Sequence, residues 1–170
     1  MAQAVVPAAR RLCAVLASVS SLGLAGALVA GCGASPSSAT AEVTVRTIAV
    51  PGLGRVLADS AGYVLYIYVP DHDGPSVCTG LCARQWPPLV LPAGVHRLEA
   101  GTGVRASLLG TAPRPHGTAR QVTYAGWPLY TYVDDAAPGD VTGQGEDMGA
   151  WYTMSPNGSV DRRPVPGSGG

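Results

Sequence analysis

The side chains best suited to chemistry lie in two short segments that share one pattern. The pattern Tyr-x-Tyr-x-x-Asp occupies residues 66–71 and again residues 130–135. Paired tyrosines can form a platform for a flat ligand, or they can pack in a core with their hydroxyls bonded at its edge. An aspartate at a strand end commonly bonds loop amides in an Asx turn. Packing and turn formation are the simpler interpretations of six candidate binding residues: Tyr66, Tyr68, Asp71, Tyr130, Tyr132 and Asp135.

A second group of candidates surrounds two cysteines. Cys78 and Cys82 are four residues apart in a Gly-containing loop, and outside the cytoplasm a disulfide is the simplest expectation. A redox pair, or soft-metal ligation together with His72, is the alternative. The segment Asp71-His72-Asp73-Gly74 resembles the start of a calcium loop, and Asp134 and Asp135 with Asp140 offer further oxygen ligands, but the later ligands of such a loop are absent at the expected spacing. We predict no resident cofactor, with haem, copper and calcium as alternatives.

No arrangement of catalytic residues is evident. The three histidines are scattered over loops, none beside a nucleophile in a strand–turn–helix context, and no Gly-rich phosphate loop precedes a helix. Trp86, Trp127 and Trp151 lie beside Pro or Tyr, where core packing is a simpler explanation than stacking on sugars. Trp86 is retained as a candidate binding residue. We therefore expect a protein that is not an enzyme.

An internal duplication positions these residues. Residues 61–71 align with residues 125–135 at an offset of 64 without a gap, and seven of the eleven pairs are identical. Downstream, Trp86 and Trp151 follow the paired aspartates by 15 and 16 residues. Self-similarity over this length indicates two copies of one structural unit.

Each copy predicts a β-hairpin whose turn contains a glycine, Gly62 or Gly126, at a position that favours positive φ. The incoming strands are residues 55–59 and 120–124, and the return strands are residues 63–69 and 127–133. Because side chains alternate along a strand, Tyr66 and Tyr68 share one face while the aliphatic residues between them share the other. Both faces of this strand are apolar, which predicts that it is covered on both sides.

The second copy differs at one position on the aliphatic face. Thr131 replaces an isoleucine there, and we expect this face to be partly wet. The content of 23 Gly and 15 Pro also favours short strands over long helices, with one possible helix at 104–109. The prediction is an all-β domain of two pseudo-symmetric hairpin repeats forming an antiparallel sheet or a small barrel.

The N-terminus predicts export and lipidation. Two arginines precede an uncharged apolar run that ends in Val-Ala-Gly-Cys32, which resembles the lipobox of bacterial lipoproteins. A retained transmembrane helix is the alternative. We predict a signal peptide (1–31), a lipidated tether (32–45), a β domain (46–163, with repeats at about 54–89 and 118–158) and a disordered tail (164–170).

Charge excludes one class of partner. All 11 basic residues are arginine, which is typical of GC-rich codon usage, and they balance 11 acidic residues. No basic cluster is visible, so nucleic acid is not an expected partner, because phosphate binding requires grouped cations.

Several separate elements occur in the order found in one family. The two Tyr-x-Tyr-x-x-Asp segments flank the stretch 76–89 around the cysteines, and residues 117–124 and Gly143-Gln144-Gly145 follow. Together they resemble the bacterial secreted-repeat lipoproteins. The resemblance implies a location on the extracytoplasmic face of the cell membrane and no established reaction. We expect a lipid-anchored, non-catalytic binding or envelope-interaction domain whose partner is an envelope protein or a small ligand. The alternative is a haem-binding, metal-binding or redox protein.

Overall fold

The computed structural model describes residues 42–165 except Asp73 and His96. The predicted signal peptide and Cys32 lie outside these residues. The strands are β1 (Glu42–Val50), β2 (Gly54–Asp59), β3 (Tyr66–Tyr68), β4 (Val90–Leu91), β5 (Arg97–Ala100), β6 (Leu109–Pro113), β7 (Arg120–Tyr124), β8 (Trp127–Pro128), β9 (Trp151–Met154) and β10 (Val160–Asp161). The helices are α1 (Leu81–Gln85) and α2 (Glu146–Gly149), with 3₁₀ turns at Val69–Asp71 and Ala106–Leu108.

The strands form three small sheets, which confirms the all-β class. Their orders are β2-β1-β5, β10-β9-β3 and β4-β7-β6, with β8 added to β7. The strands pair in antiparallel fashion except for β1 and β5, which are parallel. The expectation of one antiparallel sheet or a small barrel is therefore corrected to three open sheets.

The hairpins do not form one continuous sheet, because each predicted return strand pairs first with its own hairpin and then with the other repeat. The N–H of Leu65 bonds the carbonyl of Leu57 within its own hairpin, but from Tyr66 onward the chain pairs with β9 of the second repeat. Likewise Tyr130 leaves its hairpin and forms a bridge with Pro88 of the first repeat. The incoming strands are as predicted, whereas the return strands are shorter because their second halves belong to the other repeat.

The hairpin turns have the left-handed backbone that the glycines predicted. Gly62 has φ 99°, while Ala125 and Gly126 have φ 49° and 86°. Two successive residues with positive φ form the turn whose twist matches that of hairpin strands.

Gly126→Val is therefore expected to lower the free energy of unfolding by about 1–3 kcal/mol, because a β-branched residue is strained at positive φ. No atom lies within 4 Å of the added Cβ, so the cost is conformational and not a clash. Thr131→Val should stay within about 0.5 kcal/mol, since the hydroxyl makes only a long hydrogen bond, 3.3 Å to the Pro87 carbonyl. Urea titration of both variants measures this difference, and equal effects would contradict the turn assignment.

The two faces of the return segment enter two separate cores, as predicted. Tyr66 and Tyr68 join an aromatic cluster, whereas Leu65, Ile67 and Val69 pack in an aliphatic cluster with residues of β1, β2 and β7. Thr131 is half-buried, which agrees with the expectation of a partly wet face.

Three boundaries differ from the predictions. Residues 42–45 begin β1 and do not belong to the tether, because alternate side chains of this strand are covered by its neighbours. Val165 packs against the aromatic cluster, so the start of the predicted tail is ordered. The possible helix at 104–109 is only a 3₁₀ turn at Ala106–Leu108, while α1 was not anticipated. Between residues 42 and 165, no helix is long and apolar enough to cross a membrane.

Candidate functional site

The two repeats meet at a pair of backbone hydrogen bonds. The N–H of Tyr66 donates to the carbonyl of Tyr130 at 2.8 Å, and the N–H of Tyr130 donates to the carbonyl of Tyr66 at 3.0 Å. Equivalent residues of the two copies therefore face each other. This exchange marks a local two-fold pseudo-symmetry axis, and the motif residues surround it.

The tyrosines and aspartates of the motif pair across the repeats. Tyr66 of the first repeat donates its O–H to Asp135 of the second at 2.8 Å, and Tyr130 of the second donates to Asp71 of the first at 2.5 Å. Both tyrosines are fully buried, and the two aspartates are at most 5% exposed. Hydrogen bonds to a carboxylate are stronger than neutral ones, and burial makes an unpaired carboxylate costly. We call these pairs the reciprocal Tyr–Asp braces.

Each aspartate also holds the loop that follows it. Asp71 accepts the N–H of Val77 at 2.7 Å, and Asp135 accepts the N–H and the hydroxyl of Thr142 at 2.9 and 2.6 Å. This agrees with the expectation that the aspartates bond loop amides, although the loops are wider than Asx turns. The aspartates thus join repeat packing to loop shape.

The brace at Asp71 contains additional polar groups. Ser76 Oγ lies 2.6 Å from the Tyr130 hydroxyl. The Arg114 guanidinium donates to Ser76 Oγ at 3.2 Å, to the Cys78 carbonyl at 2.9 Å and to Gln121 Oε1 at 2.5 Å. The Arg114 guanidinium is close enough to act electrostatically on Asp71. The hydrogen-bond partners of Asp135 are a tyrosine and a threonine and include no cation. The two braces therefore differ in their electrostatic surroundings.

Four aromatic rings form one continuous stack beside the braces. The order is Tyr68, Trp151, Trp86 and Tyr132, with centroid separations of 4.4, 3.9 and 4.0 Å and interplanar angles of 25°, 6° and 19°. The second tyrosine of each repeat therefore stacks on the tryptophan of the other repeat. Both faces of each indole are covered by rings of this chain. We call this arrangement the aromatic stack.

The first tyrosine of each motif contacts the stack from the side. The ring of Tyr66 meets Trp86 edge-on at 5.4 Å, and that of Tyr130 meets Trp151 edge-on at 5.1 Å. Stacked and edge-to-face pairs each contribute about 0.5–1.5 kcal/mol beyond the area that they bury. These edge-on contacts lie within each repeat, and they hold the first tyrosine of each motif against the stack that joins the two repeats.

The loop that follows the motif is closed by a hydrogen bond in one repeat and by a disulfide in the other. In the second repeat, Trp151 Nε1 donates to Asp147 Oδ2 at 2.9 Å. In the first, the predicted disulfide between Cys78 and Cys82 is present, and its Cα atoms are 5.3 Å apart. For so short a loop the chain-entropy model gives a stabilisation of about 2 kcal/mol. Trp86 Nε1, the counterpart of the Trp151 donor, is buried without a hydrogen-bond partner among the described residues.

Burial raises the pKa of Asp71 and of Asp135 above the usual value of 3.8, although their hydrogen bonds oppose the shift. Burial, reinforced by the partner carboxylate, also raises the pKa of Tyr66 and of Tyr130. Asp161 differs, because its hydrogen bond from Arg163 lowers its pKa.

Mild acid should stabilise this domain. A folded-state pKa above the unfolded value means that the folded form binds the proton more tightly, so the free energy of unfolding rises as pH falls through the raised pKa values toward about 4. Asp161 contributes in the opposite sense, and only below its usual pKa. Urea titrations from about pH 7 to about pH 4 test this. Asp135→Asn should flatten the profile, and a stability that falls across this range would contradict the expectation.

Gly143 fits against the edge of the aromatic stack. A Cβ there would lie 2.6 Å from Trp86 Cη2, which is closer than packing allows, and 3.0 Å from Tyr66 Cζ, which is a tight contact. Gly143→Ala should therefore lower the free energy of unfolding by about 1–3 kcal/mol through overpacking. The control is Gly74→Ala, whose added Cβ would meet no atom closer than 3.9 Å. A similar thermal shift for both variants would refute this role.

The structure brings together all six motif residues and Trp86. His72 is exposed and contacts the Trp127 ring edge-on at 5.0 Å, and Asp73 is outside the described residues. Among the residues described, no three His, Cys, Asp or Glu side chains are grouped to hold a metal ion. Sequence reasoning missed Ser76, Arg114 and Thr142 as members of the brace networks, because no spacing or repeat marks them.

The fold and this site define a two-repeat β domain whose repeats are fastened by exchanged tyrosine, aspartate and tryptophan contacts. The model of a family described as a secreted repeat of unknown function matches residues 47–90 and 110–154, together more than half of the chain. The chain belongs to that family, which places it outside the cytoplasm or at the cell surface. Neither a curated protein nor a solved structure gives a significant match.

Proposed function

We propose that this chain is a lipid-anchored module of the cell envelope that acts by binding another envelope protein, and not by catalysis. Acyl chains on Cys32 hold it on the outer surface of the plasma membrane. Each buried methylene contributes about 0.8 kcal/mol, so several chains together give stable anchoring.

The reciprocal Tyr–Asp braces carry this proposal. The motif residues that are best suited to chemistry are buried and bonded to one another, so their evident task is to hold the repeats and their loops in one rigid arrangement. A rigid frame lowers the entropy lost when its loops contact a partner. The arrangement thus supports recognition of a partner.

The loop of residues 77–85, which we call the disulfide loop, offers the contact surface. Val77 is 59% exposed and Leu81 74% exposed. Leu81 and Gln85 lie one helical turn apart on the same face of α1, and the Gln85 carbonyl accepts the N–H of Val133, which is itself 53% exposed. Exposed apolar side chains grouped on a fixed loop are typical of protein contact surfaces.

Mass spectrometry of the native protein tests the anchor. The expected mature chain begins at Cys32 and carries the added mass of acyl groups. A mature chain without lipid, or one that retains residues 1–31, would show that the anchor is wrong.

Binding is tested in a chain exported by a non-lipoprotein signal peptide and beginning at Gly33. Without acyl groups, this exported chain should still sediment with the cell envelope through its partner. The double substitution Leu81→Ser with Val133→Ser should release it into the soluble fraction. The matched control is Met148→Ser, which changes a fully exposed apolar side chain in the loop of the other repeat. If the exported chain without substitutions is already found in the soluble fraction, binding to an envelope partner is refuted, whereas the lipid anchor is not affected by that result.

Titration of the exported chain with haemin, Cu²⁺ and Ca²⁺ distinguishes binding of a protein partner from the alternative function, which is binding of haem or a metal ion. We expect no change in the absorption spectrum or in the thermal midpoint. A saturable response to any of the three would favour the ligand-binding alternative over a protein partner.

A further inference from the structure

We propose that the aromatic stack conducts an oxidising equivalent from the surface and that the two reciprocal Tyr–Asp braces trap it as a tyrosyl radical. The substrate class is a high-potential one-electron oxidant that reaches the domain from outside. This activity is separate from binding and does not depend on the lipid anchor.

The stack has the geometry of an electron-transfer path. Tyrosine and tryptophan are among the side chains that lose an electron most readily, and electron exchange between rings decays steeply with distance. All three steps from Tyr68 to Tyr132 are 4.4 Å or less between centroids. Trp86 and Trp151 are at most 1% exposed, while Tyr68 is only half-buried. An external oxidant therefore meets an end of the stack, and the indole pair in the middle is shielded from water.

The indole pair favours a mobile positive charge. Its rings are nearly parallel at 3.9 Å, so a charge is shared between them. Because Trp86 Nε1 has no hydrogen-bond partner among the described residues, no base is in place to take its proton. At Trp151 the Asp147 carboxylate lies 2.9 Å from Nε1, where it stabilises the charge electrostatically and can reversibly accept the indole proton.

Each brace places a further base, its aspartate, one ring away from the stack. Tyr66 touches Trp86 at 5.4 Å and donates its O–H to Asp135 at 2.8 Å. Tyr130 stands in the same relation to Trp151 and Asp71. A phenol gives up an electron far more easily when its proton moves at the same time to a hydrogen-bonded carboxylate.

The steps balance as follows. The oxidant takes one electron from the stack and is reduced, which leaves an indole radical cation. Tyr66 then gives one electron to that indole and its phenolic proton to Asp135. The products are a neutral tyrosyl radical, a neutral indole and a protonated Asp135. The Tyr66 O–H bond breaks and a carboxylic acid O–H bond forms, with no other change.

Flash photolysis of the exported chain with a photo-oxidised ruthenium tris-bipyridine complex tests the proposal. Transient absorption should show an indole radical that decays as a tyrosyl radical appears, and electron paramagnetic resonance should detect a long-lived tyrosyl signal. The rise of the tyrosyl signal should be slower in D₂O, because a proton moves with the electron. Absence of the long-lived radical, or of the isotope effect, would overturn the proposal.

Variants identify the trap. Replacing Tyr66 and Tyr130 together by Phe keeps the rings and should abolish the long-lived tyrosyl signal, while the indole radical persists. The pair Asp71→Asn with Asp135→Asn should have the same effect, and if it fails to fold the Phe variant decides. Tyr124→Phe is the control, because Tyr124 is equally buried but lies in the aliphatic cluster, where it bonds the Pro156 carbonyl. A signal that survives in the Phe variant, or that is lost in the control, would refute the trap.

Discussion

Neither repeat is expected to fold when it is expressed alone. A fragment of residues 42–103 retains β1, β2 and β5, but its β3 loses β9, and its Tyr66 loses Asp135. The fragment of residues 104–165 loses the matching partners of Tyr130 and Trp151. Each half would expose the aromatic cluster and leave buried polar groups unpaired, and a domain has only about 5–15 kcal/mol of stability to lose.

Circular dichroism and urea titration measure the effect. Each isolated fragment should lack a cooperative transition, and an equimolar mixture should regain one. The control is the complete chain cut after Gly103, an exposed turn residue with φ 80°, where a break removes little structure. A cooperative transition in either fragment alone would mean that the exchanged contacts are not required for folding.

Trp151→Ala is expected to have the largest effect of any single substitution considered. The indole is fully buried, stacks between Tyr68 and Trp86 and makes a hydrogen bond to Asp147. Replacing a buried aromatic residue by alanine costs about 3–5 kcal/mol, because a cavity remains where the ring was packed. The free energy of unfolding from urea titration, and the near-ultraviolet circular dichroism of the stacked indoles, report the loss.

Trp127→Ala is the matched control for this substitution. Trp127 is only half-buried and packs at the margin of the aliphatic cluster, so its removal should cost clearly less. The near-ultraviolet signal of the indole pair should also remain in this variant. Equal destabilisation by both substitutions would show that the stack does not stabilise the domain in the way described.

The candidate site was partly accessible from the sequence. The spacing of the motif residues and the matching distances to Trp86 and Trp151 identified the residues that surround the pseudo-symmetry axis. Their partners were not accessible, because Ser76 and Arg114 have no counterpart in the repeat pattern. The short return strands were also missed, since the sequence of residues 63–69 favours β structure throughout and does not reveal a change of partner at Tyr66.

Local regularities were enough to establish the duplication, the incoming strands, the left-handed turns, the disulfide and the division of β3 into an aromatic and an aliphatic face. The duplication shows as self-similarity along the chain, and the others depend on residues close together in the chain or on a period of two along a strand. Only the folded structure decided that each motif aspartate holds the tyrosine of the other repeat and that Trp86 and Trp151 stack across the axis. The tyrosine–aspartate hydrogen bonds join residues 59 and 69 positions apart. Alternation tells which face a side chain occupies, but it cannot tell which distant strand will cover that face.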